Sequence, residues 1–178
     1  MPVVHARELG ALWGIRKANT LRVTLARYCR QGLLHRLRRG LYSMAPPNGI
    51  DPWLLATRAV HRFSYVSTET ILALAGIINQ QPECLTLVSS ISRTFSIGTL
   101  RVRVRRMKAS QLRNPAGVVL RGLVYQATPQ RAVADLLHFN PDALLDAPSL
   151  CDWRRVRAIQ KTLGFTLRQQ DRDAHRAA

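Results

Sequence analysis

The stretch ANTLRVTLARYCRQGLLHRLRRGLYSM, residues 18–44, decides the fold of this chain. In its first half Leu21, Leu25 and Cys29 recur at i, i+4 and i+8 with Tyr28 beside them, which is one stripe of a helix. The pattern predicts a helix from about Asn19 to Gln31, with Asn19 or Thr20 as N-cap and Gly32 in the left-handed position past its end. Arg16, Lys17, Arg22, Val23, Arg27 and Arg30 fall at its start or on other faces. In the second half, Leu33–Leu37 and Leu41–Met44 flank Arg38-Arg39-Gly40. This predicts a two-stranded hairpin that turns at Gly40.

Upstream, Val4, Leu9 and Leu12 predict a short helix over Val4–Leu12, broken at Trp13-Gly14. Trp13 and Cys29 are expected in the core. Helix, turn, helix and basic hairpin, in that order, is the layout of a winged helix-turn-helix. In that layout the second helix enters the major groove of DNA with its N-terminal residues at the base edges. Arginine and asparagine there bond guanine and adenine in patterns that tell base pairs apart. Arginines of the hairpin neutralise phosphates. The expected DNA-binding residues of the head are therefore Arg16, Lys17, Asn19, Thr20, Arg22, Val23 and Arg27 around the helix, with Arg36, Arg38 and Arg39 in the hairpin.

Charge points the same way. Lys and Arg number 27 against 10 acids, a formal net of +17, and nearly all the basic residues are Arg. Residues 1–44 hold nine basic residues and one acid, so the head is more than twice as densely charged as the rest. Such an excess implies a polyanionic partner. Arginine favours phosphate and guanine because its planar fork bonds bidentately. A membrane surface fits less well, because the arginines are spread along the chain instead of lining one amphipathic helix or a polybasic tail. An RNA-binding module fits less well too, since the head offers few exposed aromatics for stacking unpaired bases. The apolar fraction of 47% supports a core, no apolar run is long enough to span a membrane, and the first residues do not read as a signal peptide. A cytoplasmic location is expected.

Ala45-Pro46-Pro47-Asn48-Gly49 reads as a linker, which divides the chain into a head at 1–45 and a body at 50–178. In the body, helices are expected from Asp51-Pro52 to about Arg62, over Ser67–Ala75, from Thr128-Pro129 through Phe139, and over Asp152–Leu163. Strands are expected at Cys84–Ser89, at Phe95–Ile97 and Leu100–Arg106 about Gly98-Thr99, and at Val118–Gln126. The whole predicts an α+β protein: a winged helix-turn-helix followed by helices packed on a small, mostly antiparallel sheet. The tail QQDRDAHRAA is polar and expected to fray. In Arg101-Val102-Arg103-Val104-Arg105 alternation puts Arg101, Arg103 and Arg105 on one face of a strand and the valines on the other. The arginine face reads as a second phosphate-contacting surface. The competing reading is an edge strand guarded by charge.

No site for chemistry emerges. Phosphate loops (GxxxxGK[ST], GxGxxG), a GxSxG elbow and an HExxH pair are all absent. Asp51, Glu69, Asp135 and Asp152 read as caps or surface charges, not as the convergent acids of a metal-dependent nuclease. Cys29, Cys84 and Cys151 are far apart, form no CxxC pair, and read as free, buried or partly buried thiols. Catalytic residues, metal and cofactor are therefore all expected to be none.

The segment GLLHRLRRGLYSM (32–44) resembles the wing of AbiEi-type antitoxins, the antitoxin-regulators of type IV toxin–antitoxin systems. The body segment YVSTETILALAGII (65–78), the strand LTLVSS with Arg93-Thr94 after it, and ATPQRAVADL (127–136) resemble that family as well. The resemblance runs in order over about residues 5–140, and the part after Phe139 is short. It implies a winged-helix domain that represses its own operon at inverted repeats in double-stranded DNA. It also implies a C-terminal domain needed for antitoxicity against a nucleotidyltransferase-like toxin, without a stable complex with that toxin. The alternative is an antitoxin or interaction protein that works mainly by protein contact, with DNA binding secondary.

Overall fold

The computed structural model describes residues 3–165; the polar tail lies outside them. The protein is α+β, with seven α-helices and two sheets among the described residues. By contacts the chain divides into two compact units, one of Met1–His61 with Ser96–Leu100, the other of Arg62–Phe95 with Arg101–Ala178.

The head unit opens with a strand, β1 (Val3–His5), followed by helices α1 (Ala6–Leu12) and α2 (Ala18–Arg30), then strands β2 (His35–Arg38) and β3 (Leu41–Ser43). The helix expected from Val4 starts two residues later. Val4 instead pairs with Tyr42, and the antiparallel sheet has the order β1-β3-β2. Three residues carry too little periodicity to separate strand from helix. The His5 N–H donates to Glu8 Oε2 at 2.7 Å and so marks where the helix begins. Only Leu9 and Gly10 of α1 are buried, and Leu12, expected inward, is 74% exposed. Pro47–Gly49 forms a short 3-10 turn that leads into α3 (Pro52–Val60). Asp51 caps α3 as its pattern requires, accepting from the Trp53 N–H at 2.9 Å. Helix α3 clusters with the head: the His5 and His61 rings lie 3.7 Å apart, and the His5 ring bonds the Arg58 carbonyl at 2.7 Å.

The other sheet has six strands: β4 (Ser64–Val66), β5 (Leu85–Ser89), β6 (Arg93–Ile97), β7 (Leu100–Arg106), β8 (Val118–Arg121) and β9 (Val124–Ala127). Their order is β6-β7-β5-β4-β9-β8. It is mixed: β4 pairs parallel with β9 and β5 parallel with β7, while β4–β5 and β8–β9 are antiparallel. Parallel partners are distant in sequence, so local patterns cannot announce them. The single strand expected over Val118–Gln126 is the β8–β9 hairpin, turning at Gly122. The helix expected over Ser67–Ala75 is the shorter α4 (Glu69–Leu74), preceded by β4.

Helix α5 (Ala109–Leu112) is a single turn, and α6 (Pro129–Phe139) and α7 (Trp153–Leu163) are the long helices of this unit. Both carry the expected caps: Thr128 accepts from Arg131 N–H and Asp152 from Arg155 N–H. Asp135 corrects its reading as a cap or surface charge, since its side chain is wholly buried in α6. Arg131 Nε donates to Asp135 Oδ1 at 2.8 Å, and the hydroxyls of Ser67 and Tyr65 donate to Oδ2 at 2.7 and 3.0 Å. Arg131 also donates to the Tyr65 hydroxyl at 2.6 Å and to the Ala116 carbonyl at 2.7 Å. Burial raises the Asp135 carboxyl above its usual range against the pull of Arg131, and burial likewise raises the Tyr65 phenol. The cluster ties α6 to β4 and to the turn before β8 and is structural.

Candidate nucleic-acid interface

The head is organised by what α2 buries. Leu25 packs with Leu9, Leu34 and Tyr42, and Leu21, Trp13, Tyr28 and Cys29 close around them. Trp13 meets Tyr28 edge to face with ring centroids 5.2 Å apart, so both expected core residues, Trp13 and Cys29, pack there. The helices approach closely at Gly10, where a Cβ would stand 2.9 Å from Leu21 Cδ2. The Ile15 N–H bonds the Gly10 carbonyl at 2.8 Å, which fixes the turn between them.

With that face committed, the opposite face of α2 is open. Asn19, Arg22, Val23, Ala26, Arg27 and Arg30 recur at i, i+3, i+4, i+7, i+8 and i+11, and all six are exposed. Arg16, Lys17 and Thr20 are exposed at the start of the same helix. The helix begins at Ala18, so Asn19 is not its N-cap. Lys17 holds that place and no side chain caps the first turn. Asn19 instead accepts from Arg22 Nη2 at 3.0 Å, which aligns an amide and a guanidinium on the exposed face. Arg27 lies over the Tyr28 ring, 5.3 Å from its centroid. No acidic residue occurs between Glu8 and Asp51, so nothing in this stretch of sequence offsets the charge. Arg30 was not among the expected contact residues, although its spacing of three from Arg27 places it on this face.

The hairpin follows directly. Gly32 and Gly40 both take positive φ, +72° and +77°, as their places after a helix and in a turn predict. The strands slip by one residue between Arg36 and Arg38, so Arg36 pairs with Tyr42 and Arg38 with Leu41. Arg36 and Arg39 are exposed, and Arg38 is half-buried. The structure thus brings Arg16, Lys17, Asn19, Thr20, Arg22, Val23 and Arg27 to one helix, and Arg36, Arg38 and Arg39 to the adjoining hairpin.

The body arginines fare differently. Val102 and Val104 are buried and Arg101 and Arg103 exposed, as alternation predicts, but β7 lies inside the sheet order and is not an edge. Arg101 pairs with Glu83 at 3.1 Å. Arg105 is half-buried, bonded to Glu69 and placed over the Phe139 ring at 5.5 Å. Glu69 is therefore the partner of a half-buried guanidinium and not a plain surface charge. Arg103 lines a cleft of about 310 Å³ with Glu69, Glu83 and Thr86. The like charges of this strand are in part balanced from within the chain.

Among the described residues, no cluster of three or more His, Cys, Asp or Glu side chains could hold a metal, and no helix is long and apolar enough to cross a membrane. No protein-family model matches the chain, and no curated protein matches it in sequence.

Proposed function

We propose that the protein is a DNA-binding transcriptional autorepressor and the antitoxin of a type IV toxin–antitoxin system. In this reading the head is a winged helix-turn-helix that grips duplex DNA and carries out no chemistry. One observation carries the DNA-binding half: the open face of α2 presents Asn19, Arg22, Val23 and Arg27 in a row, opposite the face whose Leu25 packs on Leu9. A helix seated in the major groove offers Arg22 and Arg27 to guanine, Asn19 to adenine and the Val23 methyls to thymine. Arg36 and Arg39 contact phosphates beside it. The antitoxin half rests on the motifs of residues 32–44, 65–78 and 127–136. The nucleotidyltransferase-like toxin is the functional partner, without a stable complex.

The test titrates the protein into labelled duplex from upstream of its own gene and into a scrambled duplex, at low and at physiological salt. A preference of tenfold or more, about 1.4 kcal/mol, that survives physiological salt supports a sequence-specific regulator. Equal affinity that vanishes with salt would reduce the head to a phosphate-binding surface and redirect the search to a protein partner.

A further inference from the structure

The β8 edge of the six-stranded sheet has backbone groups whose directions can be assigned one by one. The Thr128 N–H donates to the Gly117 carbonyl at 2.7 Å, and the register that follows pairs Val118 with Ala127 and Arg121 with Val124. Hydrogen bonding alternates along an antiparallel pair. Gly117, Val119 and Arg121 therefore turn their amides toward β9, and Val118 and Leu120 turn theirs outward. The Val118 N–H is used locally, bonding the Pro115 carbonyl at 2.9 Å. The Leu120 N–H and C=O and the Val118 C=O face the open edge, because β8 ends the strand order.

The side chains around this edge are apolar and uncovered. Leu120 is 56% exposed, Leu123 62% and Tyr125 42%, and the half-exposed Phe63 ring lies 5.3 Å from Tyr125. The far edge, β6, shows solvent Arg93, Thr94 and Ser96 instead. Strand β8 has no Lys, no Pro and no charge pointing inward, the usual guards of an edge. An open edge of unpaired backbone groups offers a place for another strand to pair.

Charge selects which strand. Two copies of a +17 chain repel over most of their surface, but residues 118–127 hold a single charge, Arg121. Copies therefore approach here at least electrostatic cost, whereas an acidic protein would be drawn to the arginine-rich surfaces. An edge strand laid antiparallel on its own symmetry mate is also self-complementary, each bond given across the two-fold axis being received back. We infer that β8 pairs antiparallel with β8 of a second copy, joining two six-stranded sheets into one across a two-fold axis. Four residues offer few bonds, so the dimer is weak and its population depends on concentration. The inference stands on the sheet edge and holds whether or not the head reads DNA.

Sedimentation equilibrium of the full chain, free of DNA and at high salt, tests it over roughly 1–300 µM. The wild type is expected to pass from monomer to dimer across that range. Leu120→Lys, checked for folding by circular dichroism, should weaken association by about tenfold or more, since it sets like charges against each other across the axis. In the unaltered protein, exchange of the Leu120 amide should slow as concentration rises while that of Ser96 on the far edge does not. A monomer throughout overturns the inference and leaves the edge to another protein's strand. A dimer indifferent to Leu120→Lys, with Leu120 exchange independent of concentration, overturns it equally.

Discussion

Arg131 and Asp135 stand one helical turn apart in α6, joined at 2.8 Å with both side chains fully out of solvent. Neither charge has water to fall back on, so each is tolerable only with the other present. Asp135→Asn or Arg131→Met alone should cost about 3–5 kcal/mol, because the partner is left buried and uncompensated. Replacing the pair together with apolar side chains of similar volume should cost less than either single change. Urea unfolding of the three variants measures this, and a double variant less stable than both singles would contradict it.

The stem of the same arginine crowds Gly117. Its φ is +71°, and a Cβ there would lie 2.7 Å from Arg131 Cβ and 3.0 Å from Ile159 Cδ1. Gly117→Ala combines backbone strain with overpacking and should destabilise by at least about 2 kcal/mol. Thermal unfolding is the check. Gly98→Ala, at similar φ in open space, should cost only the strain.

Arg103 and Arg105 share a strand face but not a fate. Arg105→Ala strands Glu69, whose side chain is only 23% exposed, and removes the contact with Phe139, so it should lower the melting temperature measurably. Arg103→Ala should leave stability within about 0.5 kcal/mol of wild type. Equal losses at the two positions would show that the Arg105–Glu69 pair does not hold α4 to β7.

In the head, two hairpin arginines and one helix arginine should separate kinds of contact. Arg36→Ala and Arg39→Ala are each expected to weaken all duplexes alike and to reduce the salt dependence of log K by roughly one per lost phosphate contact. Arg22→Ala should instead narrow the gap between upstream and scrambled duplexes, by about 1–3 kcal/mol if it reads a base. Titrations at several salt concentrations distinguish these outcomes.

His138 supplies a pH dependence. Its ring stacks on Phe165 at 4.0 Å, and burial holds its pKa below the usual 6.5, with Asp135 pulling up and Lys108 pushing down. The unfolded chain therefore binds the proton more readily than the folded one. Stability should fall as pH drops below about 6.5 and level off once the folded ring is charged as well. His138→Gln should flatten the melting temperature between about pH 7 and pH 5.5.

What the sequence made legible was what is local. The caps at Asp51, Thr128 and Asp152, the turn at Gly40 and the stripe Leu21–Leu25–Cys29 all stand where their patterns place them. What it hid depends on distant partners. Val3–His5 is a strand only because Leu41–Ser43 lies beside it, and the sheet is mixed because β9 returns next to β4 and β7 next to β5. Asp135 looked like a surface acid because nothing near it in sequence announces that Tyr65 and Ser67 converge on it from some seventy positions away. The exposed face of α2 was legible for the same reason as the caps, and Arg30 could have been added to it by counting three from Arg27.

The antiparallel pairing of Val3 with Ser43 has a consequence for the order of folding. The turn between α1 and α2 and the β2–β3 hairpin close between neighbours in sequence, but β1 must wait for a partner forty positions downstream. Closing that loop carries an entropic penalty that only the finished hairpin can offset. The first of the three strands in sequence is thus the last to join its sheet. Until it does, the growing head holds its helices against a two-stranded platform with one side of β3 still bare.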